Sequence, residues 1–236
     1  RREEGLVAVE EAVGVYRVLA QARPDAYLPD LASSLNNLSI HLGELGRQAE
    51  GMVAVEEAVG VYRVLAQARP DAYLPNLALS LNNLSVRLGE LGRREEGLVA
   101  VEEAVGVYRV LAQARPDAYL PDLASSLNNL SIHLGELGRQ AEGMVAVEEA
   151  VEIRRVLAQA RPDAYLPDLA LSLNNLAVGL GELGRREEGL VAVEEAVEIY
   201  SVLVEKRPSV YKADIDRTQK LRAWLNAMGD SGDIPN

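Results

Sequence analysis

The chain has 236 residues and a formal net charge of −12 at pH 7, and 48% of its residues are hydrophobic. The acidic excess disfavours binding to nucleic-acid phosphates or to anionic lipid, so we expect neither nucleic acid nor membrane as a partner and favour a basic protein or peptide. The absence of cysteine excludes disulfides and thiolate metal sites and leaves the redox compartment undetermined. No uninterrupted apolar stretch of about 18 residues is present to span a membrane. Our expectation for the location is cytoplasmic.

The sequence repeats itself with a period of 46 residues. Residues 1–46 are identical to residues 93–138. The glycine after the RREE or RQAE motif recurs as Gly5, Gly51, Gly97, Gly143 and Gly189. Self-similarity at such a period is typical of a solenoid, in which each unit buries its apolar face against its neighbours. We therefore expect function to lie on an extended surface and not in a single pocket.

The first predicted element is a helix over residues 1–22, which we name helix B of a truncated first repeat. It carries two apolar stripes, and a helix that is apolar on two sides is packed on two sides. The first stripe is Leu6, Val9, Val13, Tyr16 and Ala20, and the second is Ala8, Ala12, Val15 and Leu19. Because the chain begins without Met in the middle of a repeat, we interpret it as a fragment. We expect its uncovered apolar stripe to promote end-to-end self-association.

The next predicted element is helix A, over Pro29–Gly46. Its leucines follow steps of four, three, four and three residues, which is one face of an amphipathic helix. They are Leu31, Leu35, Leu38, Leu42 and Leu45. Pro29 and Asp30 suit a first turn, and Gly46 ends the helix. The following helix B covers about Gln48–Ala68, and four such A–B units are predicted within residues 23–206.

The last predicted elements are a capping helix over residues 207–229 and a frayed tail over residues 230–236. The LNN motif of helix A is absent here, but one apolar face remains to cover the preceding helix B. Its members are Ile215, Leu221, Trp224, Leu225 and Met228. A terminal helix with a polar outer side is typical of the end of a repeat array.

The spacing of key residues within each unit resembles the signature of the tetratricopeptide repeat. The motif is carried by Leu81, Leu84, Ser85, Leu88, Gly92, Gly97, Val101 and Ala104. The segment PDLASSLNNLSIHLGELGRQAEG looks most like the long repeats of kinesin light chain type. The resemblance implies an all-α, right-handed superhelical solenoid of antiparallel helix pairs, with about ten helices. Two features depart from the family: helix B opens with glycine instead of alanine, and the period has extra residues between Ala58 and Pro75.

The sequence contains no catalytic or cofactor-binding motif. The two histidines, His41 and His133, occupy equivalent positions two repeats apart, so they form neither a metal pair nor a dyad within one chain. Adjacent carboxylates such as Glu10 and Glu11 do not face each other on a helix, and we interpret them as solvated surface. No phosphate-binding glycine loop or nucleophile motif is present. We therefore expect a protein that is not an enzyme and that needs no cofactor or metal.

A pair of asparagines in the middle of each helix A is the leading candidate for function. Their amides offer donors and an acceptor to the backbone of an extended peptide. The resemblance places helix A along a concave groove, with the first asparagine of each pair in it and aliphatic and acidic neighbours beside it. The first asparagines are Asn36, Asn82, Asn128 and Asn174, and the second are Asn37, Asn83, Asn129 and Asn175. The predicted neighbours are Ser33, Leu79, Ser125, Leu171, Ile40, Val86, Ile132, Val178, Glu44, Glu90 and Glu136.

Several alternatives remain open at this level. One alternative is that an amide of each pair hydrogen-bonds the next helix and so stabilises the stack. This alternative applies more to the second asparagine of each pair than to the first. Differences between copies, such as His41, Arg87, His133 and Gly179, indicate either tuned recognition or neutral drift. The leading hypothesis is a non-catalytic scaffold that binds a basic and apolar peptide or a partner helix. The others are a structural spacer or self-associating array, and the sensor array of a larger bacterial signalling protein.

Overall fold

The computed structural model describes residues 2–230, and the side chains of residues 3–228. All of its regular structure is helical, which confirms the predicted all-α fold of about ten helices. The helices are α1 (Arg2–Ala22), α2 (Pro24–Glu44), α3 (Gln48–Ala68), α4 (Pro70–Glu90), α5 (Arg94–Ala114), α6 (Pro116–Glu136), α7 (Gln140–Ala160), α8 (Pro162–Glu182), α9 (Arg186–Lys206) and α10 (Pro208–Asp230). The odd-numbered helices are the predicted helices B, and the even-numbered helices α2, α4, α6 and α8 are the predicted helices A. The last helix, α10, is the predicted cap. Most of the predicted tail, residues 231–236, lies outside the described residues.

The helices form two compact units, Arg1–Asp122 and Leu123–Asn236, which divide within α6. In the first unit α1 to α4 each pack against the next helix, and α2 also contacts α4. In the second unit α7 to α9 do the same, and α8 also contacts α10. Two helices A therefore lie side by side in the first unit, and in the second unit α8 lies beside the cap α10. None of the helices within residues 2–230 has the length and apolar character needed to cross a membrane.

Helix A ends in a tight turn that glycine makes possible. Gly46 has a φ of 75°, the left-handed region that a residue with a Cβ adopts only at a cost. The backbone N–H of Arg47 donates to the carbonyl of Leu42 at 2.8 Å, and that of Gly46 donates to the carbonyl of Gly43 at 3.0 Å. This is the Schellman pattern. The predicted stop at Gly46 is confirmed, and three equivalent glycines have the same positive φ: Gly92, Gly138 and Gly184.

Helix A begins earlier than the sequence pattern indicated. It starts at Pro24, so the prediction of a start at Pro29 was wrong, and Pro29 lies inside the helix. Pro24 is tolerated in the first turn because its missing N–H has no partner there. Tyr27 and Leu28 then pack against the apolar core of the first unit, which offsets the hydrogen bond that Pro29 cannot make. The extra residues of the long period thus extend helix A, leaving Arg23 as a one-residue link after α1.

The glycine at the start of helix B lets the two helices of a unit approach closely. A Cβ added to Gly51 would lie 3.1 Å from the carbonyl oxygen of Ser39, and one added to Gly143 would lie 3.0 Å from that of Ser131. These distances are shorter than ordinary van der Waals contact. The departure from the family's alanine therefore has a physical reason, which is a backbone-to-backbone contact between helix A and helix B.

Candidate peptide-binding groove

The aliphatic residues predicted for the groove lie at the surface of the helices A. In the first unit Ile40 and Leu79 are 40% and 46% exposed, and in the second unit Ile132 and Leu171 are 45% and 47% exposed. We name the surface that they share within each unit the helix-A face. Other predicted members are also exposed, namely Ser33, Asn37, Val178, Glu44, Glu90 and Glu136, while Ser125, Val86, Asn83, Asn129 and Asn175 are half-buried.

The first asparagine of each pair holds neighbouring helices A together. The Asn36 side-chain N–H donates to the Ser80 hydroxyl at 2.6 Å, and the Ser80 hydroxyl donates to the Asn76 carbonyl at 2.9 Å. The amide of Asn128 bonds the hydroxyl of Ser172 in the same way at 2.8 Å. Asn36 and Asn128 are only 5% and 4% exposed, so their amides are not available to a peptide.

The expectation that the first asparagine of each pair lines the groove was therefore wrong for Asn36 and Asn128. Asn174 follows the same pattern, because its amide donates to the Thr218 hydroxyl at 2.8 Å, and Asn82 is half-buried. The sequence contains a signal that was missed. Each first asparagine is followed 44 residues later by a serine or threonine: Ser80, Ser126, Ser172 and Thr218. The helix-A face thus carries the second asparagines and not Asn36 and Asn128.

The second unit has a cavity on its helix-A face, between α6, α7 and α8. Its volume is about 290 Å³. Met144 and Val147 of α7 lie beside the aliphatic Ile132 and Val178, and the acidic Glu182 also lines the opening. The complete lining is Ser131, Ile132, Gly135, Glu136, Gln140, Gly143, Met144, Val147, Asn175, Val178, Gly179 and Glu182. Four of these were predicted groove residues, and together they form a pocket with apolar walls and carboxylates at its edge.

In the first unit the corresponding space is occupied by the chain itself. The Arg87 guanidinium lies directly against Gly43, where a Cβ would overlap it. Arg87 Nη1 lies 2.8 Å from Oε2 of Glu90, and the arginine side chain is only 13% exposed. The lining of this space differs between the two units at one position, because Gly179 in α8 stands where α4 has Arg87.

A buried arginine beneath the helix-A face was not predicted. Arg154 in α7 is 4% exposed and stands where α3 and α5 have Tyr62 and Tyr108. Its guanidinium donates to the Asp168 carbonyl at 2.7 Å and to the hydroxyls of Ser172 at 2.6 Å and Ser125 at 3.2 Å. Burial lowers the pKa of Arg154. Through one of these bonds Arg154 fixes Ser125, a predicted groove residue. The signal that was missed in the sequence is the replacement of a recurring tyrosine by arginine at this position of helix B.

The helices B are joined along another surface by exposed ion pairs. Arg63 pairs with Glu103 at 2.7 Å in the first unit, and Arg155 pairs with Glu195 at 2.6 Å in the second. Exposed pairs of this kind contribute about 0–1 kcal/mol each. The described residues contain no cluster of three or more potential metal ligands. The ion pairs suit stacking of the helices B, whose surface also carries exposed valines such as Val64 and Val156.

Comparison with known proteins assigns the repeat. The tetratricopeptide-repeat family model matches residues 77–115, 123–162 and 169–207, which together make up half of the chain. No curated protein matches the sequence.

Two solved structures illustrate the likeness in fold. BtubC (BKLC) from P. vanneervenii has a TM-score of 0.63 at 18% identity, covering 100% of this chain and 94% of that one. A kinesin-light-chain-like protein of Podosopora anserina with nearly identical repeats has a TM-score of 0.58 at 19% identity, covering 88% of this chain and 94% of that one. At these identities the likeness concerns the fold alone. The family match and the helix pairs together confirm the resemblance noted in the sequence, and the chain belongs to the tetratricopeptide-repeat family.

Proposed function

We propose that the chain is a protein-binding module whose helix-A face takes a peptide segment or partner helix with basic and apolar residues. The tetratricopeptide fold is a protein-interaction architecture in general, and the proposal concerns the place and chemistry of binding. The observation that carries it is the exposure of Ile132, Leu171 and Val178 beside Glu136 on the same face of the second unit. Aliphatic side chains exposed together, with acidic neighbours, favour an apolar and cationic ligand.

The second asparagines suit the main chain of such a ligand. Asn37 is exposed and Asn175 is half-buried beside the cavity of the second unit. Because their amides offer both donors and an acceptor, they bond the backbone of an extended peptide irrespective of its side chains. Specificity then comes from the aliphatic positions and from the charge of the glutamates.

Selection from a random peptide library tests this proposal whatever the identity of the natural partner. The immobilised wild-type chain should enrich peptides that combine basic and apolar residues. Ile132→Lys combined with Val178→Lys should reduce the affinity of the selected peptides at least about tenfold, because two apolar contacts are lost and the added cations repel a basic ligand.

The matched control is Val145→Lys, a change on α7 outside the helix-A face at a valine that is 64% exposed. Circular dichroism establishes that all variants remain helical. Peptides that lack a basic bias, or that bind the double variant as tightly as the control, would contradict the proposal.

Self-association is a second candidate, favoured by the exposure of α1. Ala12 and Tyr16 are partly exposed, whereas their counterparts in α3, Ala58 and Tyr62, are 0% and 1% exposed. An apolar stripe that is covered in one copy and open in another suits contact with a second chain. Sedimentation velocity over a concentration series should show dimers that Tyr16→Glu abolishes and Val18→Glu leaves intact. A constant monomer mass would exclude this interaction.

A further inference from the structure

The cavity of the second unit differs from its counterpart in the first unit by a single side chain. Twelve residues line it, and eleven of them are identical to the residues 92 positions earlier in the chain. The twelfth is Gly179, whose counterpart is Arg87. The first unit therefore shows what the same surroundings hold when an arginine side chain is supplied.

Arg87 shows how these surroundings accommodate a guanidinium. The group lies directly against the backbone of Gly43, where no Cβ intervenes, and it forms an ion pair with Glu90 at 2.8 Å. The arginine side chain is largely removed from solvent, at 13% exposure. Met52 and Val55 remain 5% and 0% exposed in the presence of this arginine, so the floor of the site tolerates it.

The second unit keeps every part of this arrangement except the arginine. Gly135, the counterpart of Gly43, has nothing within 4 Å of the place where a Cβ would lie. Glu182 stands in the place of Glu90, and position 179 supplies no guanidinium to it. The result is the cavity of about 290 Å³, open to the helix-A face.

We propose that this cavity is a recognition pocket for an arginine side chain of a bound peptide. The inference rests on the proposed peptide-binding function and specifies one residue of the ligand. The ligand's guanidinium lies on Gly135 and pairs with Glu182, and its aliphatic stem packs against Ile132 and Val178. Arginine suits this site better than lysine because a planar, weakly hydrated guanidinium stacks on an open backbone surface, whereas a compact ammonium keeps its hydration shell.

Two reciprocal variants test the pocket. Gly179→Arg places the chain's own guanidinium in the cavity, as in the first unit, and should compete with the ligand. A Cβ at position 179 would lie 2.9 Å from Sδ of Met144, the mobile end of a flexible side chain, so the variant is accommodated. Arg87→Gly empties the first unit and should create a second pocket. Val191→Arg on α9, at a site 68% exposed, is the control for added charge.

The methionines provide a site-specific readout. The chain has three, of which Met144 lines the pocket, Met52 is its counterpart in the first unit and Met228 lies in α10. Methyl NMR signals are followed during titration with N-acetyl-L-arginine amide, with its neutral isostere N-acetyl-L-citrulline amide, and with N-acetyl-L-lysine amide. In the wild type we expect the arginine probe to shift the Met144 signal and to leave that of Met52 unchanged.

The expected effects of the variants are specific. The affinity for the arginine probe, measured from the Met144 signal, should fall at least about tenfold in Gly179→Arg and should not change in Val191→Arg. Arg87→Gly makes the Met52 signal respond to the same probe. A Met144 signal that ignores the arginine probe, that responds equally to citrulline, or that is unaffected by Gly179→Arg would overturn the pocket.

Peptides selected on the helix-A face separate this result from the broader proposal. If they bind Gly179→Arg as tightly as wild type and carry no arginine preference, the pocket is refuted and the peptide-binding face stands. If no peptide is selected and Met144 still responds selectively to the arginine probe, the pocket stands and the peptide-binding proposal fails.

Discussion

The buried Arg154 predicts that the second unit is less stable than it would be with the tyrosine of the first unit. In the first unit the corresponding site holds Tyr62, whose hydroxyl accepts a bond from the Asn76 side chain at 3.3 Å and donates to the Pro29 carbonyl at 3.3 Å. Arg154 with Asp168 replaces this neutral pair by charged groups. Changing Arg154→Tyr together with Asp168→Asn recreates the arrangement of the first unit.

The expected gain follows from the cost of burying charge. Arg154 donates three hydrogen bonds, but the residue is only 4% exposed, and burial lowers its pKa. Replacing a buried charged group by well-packed residues of similar volume is neutral or stabilising by about 1–4 kcal/mol. Arg154→Tyr alone should gain less, because Asp168 then resembles Asp122 beside Tyr108, a carboxyl whose pKa is raised by burial.

Guanidinium denaturation followed by circular dichroism measures the effect. The double variant should unfold at higher denaturant concentration than the wild type, and the reciprocal Tyr62→Arg should unfold at lower concentration. Arg154→Ala should lower the free energy of unfolding by about 2–5 kcal/mol, since it leaves a cavity in which the Asp168 carbonyl loses this donor, while the Ser172 hydroxyl keeps the bond from Asn128. A double variant that is less stable than the wild type would refute this account of Arg154.

Further predictions concern stability, binding and pH. Gly60→Ala and Gly106→Ala should each raise the free energy of unfolding by up to about 1 kcal/mol in thermal denaturation, because a Cβ there meets nothing within 4 Å, whereas Gly51→Ala should lower it. Asn175→Ala should leave stability within about 0.5 kcal/mol and weaken library-selected peptides in a titration, whereas Asn128→Asp should cost at least about 1–3 kcal/mol in denaturation. Burial raises the pKa of Tyr200 to about 12, above its ordinary value of 10.0. The contribution of the neutral Tyr200 side chain to the free energy of unfolding is therefore fully present below pH 10 and is lost as the pH rises towards 12. Absorbance of tyrosinate should rise together with loss of helicity in that window, and ionisation of Tyr200 near pH 10 in the folded chain would contradict it.

Much of the fold follows from local patterns in the sequence. The leucine spacing of helix A and the glycine after it correctly predict the end of the helix at Gly46, because both depend on interactions within a few residues. The start at Pro24 escaped this reasoning because a proline five residues into a helix argues against continuation. Packing of Tyr27 and Leu28 against other helices decides the outcome, and such contacts are not local.

The asparagine pair shows the corresponding limit for the candidate site. Adjacent residues on a helix point about 100° apart, so Asn36 and Asn37 necessarily differ in exposure. Which one is buried depends on the rotation of helix A against the next helix A, and the residue that fixes it is Ser80, 44 positions away. Composition and helical propensity give no information about that contact.

The near-identity of the repeats turns single differences into controlled comparisons. Gly179 carries a helix-propensity cost of about 1 kcal/mol relative to alanine and forgoes the ion pair that Arg87 makes with Glu90. Only part of the space is filled: Sδ of Met144 lies 2.9 Å from the place where a Cβ at position 179 would be, and the rest is the cavity. Positions that break local rules without a structural gain are expected at functional sites. The arginine titration of Met144 therefore decides between tuned recognition and neutral drift at this one position, which distinguishes the helix-A face of the second unit from that of the first.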